Sequence, residues 1–206
     1  MKFPPMAPDE FLTITNPVEH ETKVLSSRFL ALALPIQGRA DVDECLAARR
    51  KKFHDATHHC YAYRIGIAGE DFRANDDGEP NGSAGKPILA AIDKLALTNV
   101  LVVVTRYFGG KKLGVGGLVR AYGGAAEDVL ASSEKMKKLV VAPIHATFPH
   151  GLIGQVMHVV ESAGAIIHDT HYDEEVHLEI HVRRTLTQNL KERLIASTSG
   201  NIRLKE

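Results

Sequence analysis

The amino-acid sequence predicts an α+β protein of two domains, and three observations support this fold class. The run 99–105 is short, β-branched and continuously apolar, as expected for a strand buried on both faces. Residues 140–205 follow the order β-α-β-β-α-β, which is the order of the ferredoxin-like, or split βαβ, unit. Between these two patterns lies the charged segment 133–139. We therefore predict one domain at 1–136 and a second at 137–206.

Four elements are predicted between residues 22 and 85. Clustered apolar side chains over 22–36 indicate a strand. A helix is expected to begin at Asp41, because Glu44 follows three residues later as in a capping box. Residues 60–67 alternate with period two, which is typical of a strand. The segment 69–85 is rich in Gly, Asn, Asp and Pro, so it is predicted to be a loop.

Helical patterns lie on both sides of the buried strand. The basic run 49–52 belongs to the first predicted helix and is expected to face water. A proline in a first helical turn and an apolar seam predict a second helix at 87–95. The glycine-rich segment 109–117 is predicted to be a loop that leads into a third helix over 118–132.

The second domain is predicted from strand alternation and helical spacing. Its expected elements are a strand over 140–148, a helix over 152–163, a hairpin of strands over 165–172 and 176–182, a helix over 186–196 and a strand over 201–205.

The composition excludes several classes of protein. Hydrophobic residues make up 44% and charged residues 24%, which fits an ordinary globular protein. The 25 basic and 25 acidic residues cancel, so any nucleic-acid-binding surface must be local. Two cysteines are too few for a disulfide scaffold and favour a cytoplasmic protein with reduced thiols. The first residues lack an apolar signal core and no apolar run approaches the ~20 residues that span a bilayer, so no membrane contact is expected.

An acidic motif places Asp76, Asp77 and Glu79 within four residues. These carboxylates could hold Mg²⁺ or perform acid–base chemistry, or they could form an interaction surface. They are equally typical of a tight loop, in which carboxylates accept bonds from backbone N–H groups and glycines supply positive φ. Ser83 is a candidate cap for a helix that begins near Lys86.

A basic motif, 106–120, joins the end of the buried strand to the third predicted helix through a glycine-rich turn. Exposed N–H groups and the helix dipole could bind an anion there, or the turn could simply pack closely on the sheet. Neither standard phosphate motif fits: the loop has no Gly-Lys-Ser/Thr ending, and Val119 stands where a dinucleotide pattern needs a third glycine. Tyr107 and Phe108 could stack on unpaired bases beside Arg106, or belong to the core.

We expect several cations of this motif to form one patch, because ligands in α/β folds often gather where strands end. The predicted nucleic-acid-binding or anion-binding residues are Arg106, Tyr107, Lys111, Lys112 and Arg120.

A third motif, His58-His59-Cys60, contains a histidine–cysteine pair that could bind zinc or act as a nucleophile. Cys60 opens an apolar strand, where a buried and inert thiol is usual. Cys45 lies in a predicted helix and does not complete a metal site. Cys60 and His58 therefore remain motif residues without an assigned chemistry.

The histidines near the C-terminal hairpin are expected to be structural or solvent-facing. They are His168, His171, His177 and His181. The chain also lacks the G-x-S-x-G and His-Glu-x-x-His motifs of hydrolases. We therefore predict no catalytic residues, no metal and no cofactor.

Several of these motifs resemble the YigZ/IMPACT family in order and spacing. They occupy 21–35, 56–64, 76–80, 106–114 and 116–122. The resemblance implies a first domain like the second domain of a small-subunit ribosomal protein, in a superfamily that includes translocation-factor domains and small-molecule kinases. It also implies a ferredoxin-like second domain similar to one in elongation factor G.

The resemblance further implies a link to translation. Eukaryotic members of that family regulate translation initiation by competing for the activator of a stress kinase. The two-domain arrangement is like that of the bacterial members and suggests contact with RNA, the ribosome or a translation factor. A non-enzymatic binding protein is accordingly predicted. The alternative is a nucleotide-binding enzyme of the small-molecule kinase type that uses the loop 109–117, although this loop lacks the serine-rich end of those kinases.

Overall fold

The computed structural model describes residues 9–205, which form two compact units. Within that range, the first unit holds residues 11–138 and the second holds 9–10 with 139–205. The strands are β1 (Glu10–Ile14), β2 (Val18–Val24), β3 (Ser27–Pro35), β4 (His58–Ile65), β5 (Asp71–Asn75), β6 (Val100–Tyr107), β7 (Lys135–Leu139), β8 (Val141–Phe148), β9 (Ile166–Tyr172), β10 (Val176–Arg183) and β11 (Arg203–Lys205). The α-helices are α1 (Arg39–Lys52), α2 (Gly85–Lys94), α3 (Gly114–Ser132), α4 (Ile153–Ser162) and α5 (Thr187–Ser197).

The first unit is built on a five-stranded sheet with the order β2-β3-β6-β4-β5, in which every neighbouring pair is antiparallel. Helices α2 and α3 pack on the face to which β6 contributes Val100, Val102 and Val104. Helix α1 packs on the opposite face against Leu101 and Val103. Since successive side chains of a strand point to opposite faces, both helix layers bury β6. The predicted doubly buried strand is confirmed.

Three predicted elements of this unit need correction. The single strand expected over 22–36 is a hairpin of β2 and β3, and Leu25 makes its turn with φ +53°. The loop expected over 69–85 contains a strand, β5, at the edge of the sheet. The glycine-rich segment 109–117 is only partly a loop, since α3 already begins at Gly114. Glycines and other turn-forming residues occur in loops, in hairpin turns and at helix starts, so their presence does not distinguish these structures.

Helix α1 also differs from expectation at both ends. It begins at Arg39, and the Asp41 carboxylate accepts bonds from the backbone N–H groups of Gln37 at 2.6 Å and Gly38 at 3.2 Å. The predicted capping box that starts at Asp41 is therefore wrong. Near the other end, Arg49 is only 4% exposed, so the basic run 49–52 does not face water throughout.

Arg49 is buried because the sheet supplies acceptors for its guanidinium. Its Nε donates to Thr105 Oγ1 at 3.2 Å and its Nη2 to the Leu30 carbonyl at 2.9 Å, while Nη1 pairs with Glu19. A buried arginine of this kind ties α1 to the sheet, since its loss of hydration is offset by bonds to fixed acceptors.

The second unit has the ferredoxin-like arrangement that the sequence predicts. Its sheet has the order β11-β8-β10-β9, and α4 and α5 pack on one face. Alternate residues of β10 are buried under these helices, from Val176 to Val182. The β9–β10 hairpin turns at the predicted position, between Tyr172 and Val176.

The segment 133–139, expected to separate the domains, contains β7. This strand forms a two-stranded sheet with β1, and the Thr15 N–H donates to the Glu134 carbonyl at 3.1 Å. The predicted domain limits themselves stay a prediction. Nowhere in 9–205 is a helix both long enough and apolar enough to cross a membrane.

Candidate functional site

Two charged loops of the first unit lie beside the helices on the same face of the sheet. The acidic loop, residues 76–84, connects β5 to α2. The basic loop, residues 108–113, connects β6 to α3. Arg106, near the end of β6, reaches Glu79 of the acidic loop, so the two motifs found in the sequence meet at one end of the sheet.

Glu79 is the centre of a buried polar network. Arg106 Nη1 donates to Glu79 Oε1 at 2.6 Å, and the Tyr122 hydroxyl donates to the same oxygen at 2.7 Å. His58 Nε2 lies 3.8 Å from this oxygen. The Glu79 and Arg106 side chains are 4% and 6% exposed. The network is held by groups from β4, β6 and α3, so it joins the sheet to the helix layer.

Arg106 therefore does not belong to a cationic surface, contrary to the sequence prediction. Its Nη2 donates to Ser27 Oγ at 3.3 Å, and its guanidinium lies 5.5 Å from the ring centres of Phe29 and Phe108. Its Nε has no hydrogen-bond partner among the described residues. The charge faces the interior because even-numbered residues of β6 point toward α2 and α3.

Asp76 caps helix α2 from a distance in the chain. Its Oδ1 accepts bonds from the N–H groups of Ala84 at 3.0 Å and Gly85 at 2.8 Å, and its Oδ2 accepts one from Gly82 at 2.8 Å. Burial by itself raises the pKa of Asp76, but these three N–H groups together with the charge of Lys86 outweigh it, and the pKa lies below its ordinary value. Ser83 is not the cap, since its hydroxyl donates to the Pro80 carbonyl at 2.6 Å.

Asp77 ties the acidic loop to α1 and β4. Its Oδ1 accepts a bond from Arg50 at 2.8 Å, and its Oδ2 accepts one from the His59 N–H at 2.7 Å. Its own carbonyl lies 2.8 Å from His58 Nδ1. The three carboxylates of the motif thus point to three different sets of donors. In the described part of the chain they do not gather into a group that could hold a metal ion.

Cys60 is a buried thiol within the same region. Its Sγ donates to the Asp76 carbonyl at 3.0 Å. Burial, together with the nearby carboxylates and against the Tyr122 hydroxyl, raises the pKa of Cys60 to about 12. Burial also lowers the pKa of His59, whose ring lies on the other face of β4 beside Thr105. A thiol with so high a pKa is a poor nucleophile, because the thiolate is the reactive form.

Tyr107 lies apart from the other predicted anion-binding residues. It points to the α1 face of the sheet, where its hydroxyl donates to Asp55 Oδ1 at 2.7 Å. That hydrogen bond raises the pKa of Tyr107. The Arg28 guanidinium lies 5.4 Å from the centre of its ring. Tyr107 and Arg106 are adjacent in sequence but face opposite sides of the sheet.

The basic loop is anchored at its base and exposed at its tip. The Phe108 N–H donates to Thr57 Oγ1 at 3.2 Å, and the Gly109 N–H donates to Ser27 Oγ at 3.2 Å. Gly109 packs so closely that a Cβ there would lie 1.9 Å from the Ser26 carbonyl oxygen, which requires glycine. The tip, from Gly110 to Lys112, is exposed.

The exposed cations of the basic loop and of the first turns of α3 make no ion pairs within residues 9–205. Lys111 and Lys112 lie at the tip of the basic loop, and Arg120 lies on the exposed side of α3. Arg120 borders a small cavity of about 340 Å³ that also contacts Leu25, Leu113 and Gly117. We call this set of exposed cations (Lys111, Lys112 and Arg120) the basic surface.

The structure thus divides the predicted site residues into two groups and leaves Tyr107 outside both. The internally bonded group, whose members are buried or partly buried, contains Asp76, Asp77, Glu79, Ser83, His58, Cys60 and Arg106. Sequence reasoning missed the roles of Tyr122 and Ser27, which bind Glu79 and Arg106. These partners lie 43 and 79 residues away in the chain, so no local pattern indicates them.

Comparison with protein families identifies both parts of the chain. Residues 25–130 match the family described as the Impact N-terminal domain. Residues 147–201 match a family described as a domain of unknown function, DUF1949. Together the two matches cover parts of both units of the fold.

Individual relatives agree with these matches. The IMPACT family member YvyE of Bacillus subtilis is 33% identical over 196 residues, which cover 95% of this chain and 90% of the relative. A Thermus thermophilus protein, the IMPACT family member in pol 5'region, is 46% identical over 130 residues, or 63% of this chain and 69% of the relative. A crystal structure of a hypothetical protein superposes with a TM-score of 0.69 at 26% identity, over 95% of this chain and 96% of that one.

Proposed function

Since this chain belongs to the IMPACT family, we propose that it is a non-enzymatic, cytoplasmic protein that acts in translation by binding RNA through its basic surface. The RNA partner that we favour is the RNA of the ribosome. The proposal involves no membrane. One observation carries the proposal: Lys111 and Lys112 are exposed on an anchored loop and make no ion pair in the described part of the chain.

The absence of available catalytic groups around the acidic loop supports a binding role. Glu79 is buried between Arg106 and Tyr122, and the Cys60 thiol has a pKa raised to about 12. The carboxylate oxygens of Asp76 and Asp77 accept hydrogen bonds from backbone N–H groups and from Arg50. A catalytic acid, base or nucleophile must reach a substrate, and these groups face the protein instead.

The shape of the basic loop supports an anionic partner. Phe108 is 46% exposed at its base, next to a tip with two lysines. Nucleic-acid-binding surfaces combine cations for the phosphates with aromatic side chains on which unpaired bases stack. Anchoring by Thr57 and Ser27 holds the loop in position before binding, which lowers the entropic cost of association.

The test compares charge reversals on two faces of the first unit. The double variant Lys111→Glu/Lys112→Glu removes the loop cations. Its control, Lys51→Glu/Lys52→Glu, makes the same change in net charge on α1, which covers the opposite face of the sheet. Because Lys52 Nζ lies 3.7 Å from Glu19 Oε1, circular dichroism checks that this control keeps its fold. Binding of a fluorescent single-stranded RNA of mixed sequence is followed by anisotropy over a range of salt concentrations.

We expect wild type to bind at low salt and to weaken steeply as salt rises, because bound phosphates release counterions. The loop variant should bind at least about 10-fold more weakly and flatten the log–log salt slope by about 0.7 for each lost contact. The α1 control should keep most of the wild-type slope. No binding by wild type at low salt would refute the RNA proposal and favour a protein partner. Equal binding by the loop variant would show that the loop is not the binding surface. A thermal shift with ATP–Mg²⁺ would instead favour the nucleotide-binding enzyme.

A further inference from the structure

The second unit carries a histidine-rich surface on the face of its sheet that points away from α4 and α5. The even-numbered residues of β10 are buried under these helices, so the odd-numbered residues lie on the other face. Among them are His177, Glu179 and His181. On the neighbouring strand β9, His171 is directly opposite His177 and Asp169 is directly opposite Glu179.

A β-bulge brings one more histidine to this face. The pairing of β10 with β9 shifts between Glu179 and Ile180, so that Glu179 pairs with Asp169 while Ile180 pairs with Ile167. His168 is the extra residue. In a regular ladder His168 would pair with Ile180 and point toward the helices, whereas the bulge turns it to the other face. Bulges re-aim side chains in this way next to functional sites.

The re-aimed His168 meets His181 and Glu179. The two imidazole rings stack with their centres 4.4 Å apart and their planes 8° from parallel. His181 Nε2 lies 2.7 Å from Glu179 Oε1. One ligand atom from each of the three side chains lies within 4.8 Å of the others. We call His168, Glu179 and His181 the histidine cluster.

We propose that the histidine cluster binds a divalent transition metal of the zinc class. Two imidazoles and one carboxylate are a ligand set that suits Zn²⁺ and its neighbours, whereas Mg²⁺ and Ca²⁺ prefer oxygen ligands. Zinc bonds of ~2.0–2.2 Å place neighbouring ligand atoms about 3.3 Å apart. The atoms of the cluster lie within 4.8 Å of one another, so metal binding requires side-chain rotation to bring them closer. Solvent can complete the coordination because His168 is exposed.

A second pair of histidines on the same face, His171 and His177, is less suited to a metal. His177 already uses both ring nitrogens, with Nδ1 3.2 Å from Thr147 Oγ1 and Nε2 3.0 Å from Asp173 Oδ1. His168 makes no hydrogen bond within the described residues, so its nitrogens are available to a metal. This difference assigns the site to the bulged end of the hairpin.

The test is a calorimetric titration of the tag-free, full-length chain with Zn²⁺, together with the visible absorption of bound Co²⁺. We expect one equivalent of Zn²⁺ to bind, with Co²⁺ bands typical of a site that has nitrogen ligands. His168→Ala and His181→Ala should each weaken Zn²⁺ binding by at least about 10-fold. Even the loss of a group that only hydrogen-bonds to a metal ligand weakens metal binding by about 10–100-fold, and these histidines are the ligands themselves.

Two control variants decide where the metal lies. His158→Ala removes an exposed histidine from α4, on the opposite side of the sheet, and should leave the affinity unchanged. His171→Ala/His177→Ala removes the other pair and should also bind as wild type does. The proposal is wrong if the wild type does not bind Zn²⁺ at micromolar concentration. It is equally wrong if His168→Ala binds normally, or if only the His171/His177 variant loses the metal. Far-UV circular dichroism of each variant confirms that the fold is retained.

Discussion

The acidic loop and the basic loop resemble each other in sequence and differ in where their charges point. Both are rich in glycine, both carry clustered charges, and both lead into a helix on the same face of the sheet. In the acidic loop every carboxylate has a partner inside the protein, as the Glu79–Arg106 pair illustrates. In the basic loop Lys111 and Lys112 face water and make no ion pair with any described residue.

The difference shows that a charged loop becomes structural when the fold offers it a counter-charge or a row of N–H groups. Arg106 and Arg50 reach the acidic loop from β6 and α1, and the start of α2 supplies donors to Asp76. Nothing comparable reaches the lysines. We therefore expect the acidic loop to contribute stability and the basic loop to contribute binding. Three variants and one double-mutant cycle measure this contrast.

The largest effect is expected for Glu79→Gln. The change removes the charge that neutralises Arg106, whose side chain is 6% exposed, and leaves a buried cation without its partner. Loss of one member of a buried pair costs about 3–5 kcal/mol of the free energy of unfolding. Urea denaturation of the full chain, followed by circular dichroism, measures this loss. Glu21→Gln is the control, because Glu21 pairs with Arg28 on the surface and its loss should cost far less.

A double-mutant cycle sharpens this result. Arg106→Met alone leaves the Glu79 carboxylate buried without its cation. Glu79→Gln combined with Arg106→Met removes both charges of the pair. The combined variant should therefore lose less stability than the sum of the single losses, by about 0.5–3 kcal/mol. Strictly additive losses would mean that the two side chains act independently and that the pair does not hold the acidic loop.

An intermediate effect is expected for Asp76→Asn. The variant keeps one acceptor oxygen but turns an amide donor toward the N–H groups of Gly82, Ala84 or Gly85. Loss of a helix cap typically costs about 1–2 kcal/mol, to be measured by the same denaturation. Asp43→Asn, on the exposed side of α1, should stay within ~0.5 kcal/mol of wild type.

The stability difference between wild type and Asp76→Asn should also depend on pH. The pKa of Asp76 in the folded protein lies below its ordinary value of 3.8, so the folded state favours the carboxylate. This contribution is fully present above the ordinary value and is lost as the pH falls through the lower, folded-state pKa. The gap between the two proteins should thus narrow in acid. A gap that widens in acid would contradict the capping role.

The smallest effect on stability is expected for Lys111→Glu/Lys112→Glu. Both side chains are exposed at the tip of the basic loop, and surface changes of this kind usually alter stability by no more than ~0.5 kcal/mol. The same variant should show the largest loss of RNA binding. A stability loss comparable with that of Glu79→Gln would place the basic loop in the same structural class as the acidic loop and remove the contrast.

Local patterns predicted most of the fold. The β-branched run 99–105 and the alternation along 176–182 each identified a strand, because a buried face leaves a periodic mark on the sequence. The family was recognised from motif order and spacing. The misplaced elements, such as the hairpin at Leu25 and the edge strand β5, lie where glycines and polar residues suit several backbone forms.

The sequence by itself determined the fold class, the family and which residues carry charge. Only the tertiary structure decided which charges pair with other groups of the protein and which face water. Arg106 meets Glu79 across 27 residues of chain, Tyr122 meets it across 43, and the bulge at His168 depends on the pairing of β9 with β10. A charge close to another in sequence can point to the opposite face of a strand, as Tyr107 does beside Arg106. Partners are chosen by strand register and helix packing, which no short segment encodes.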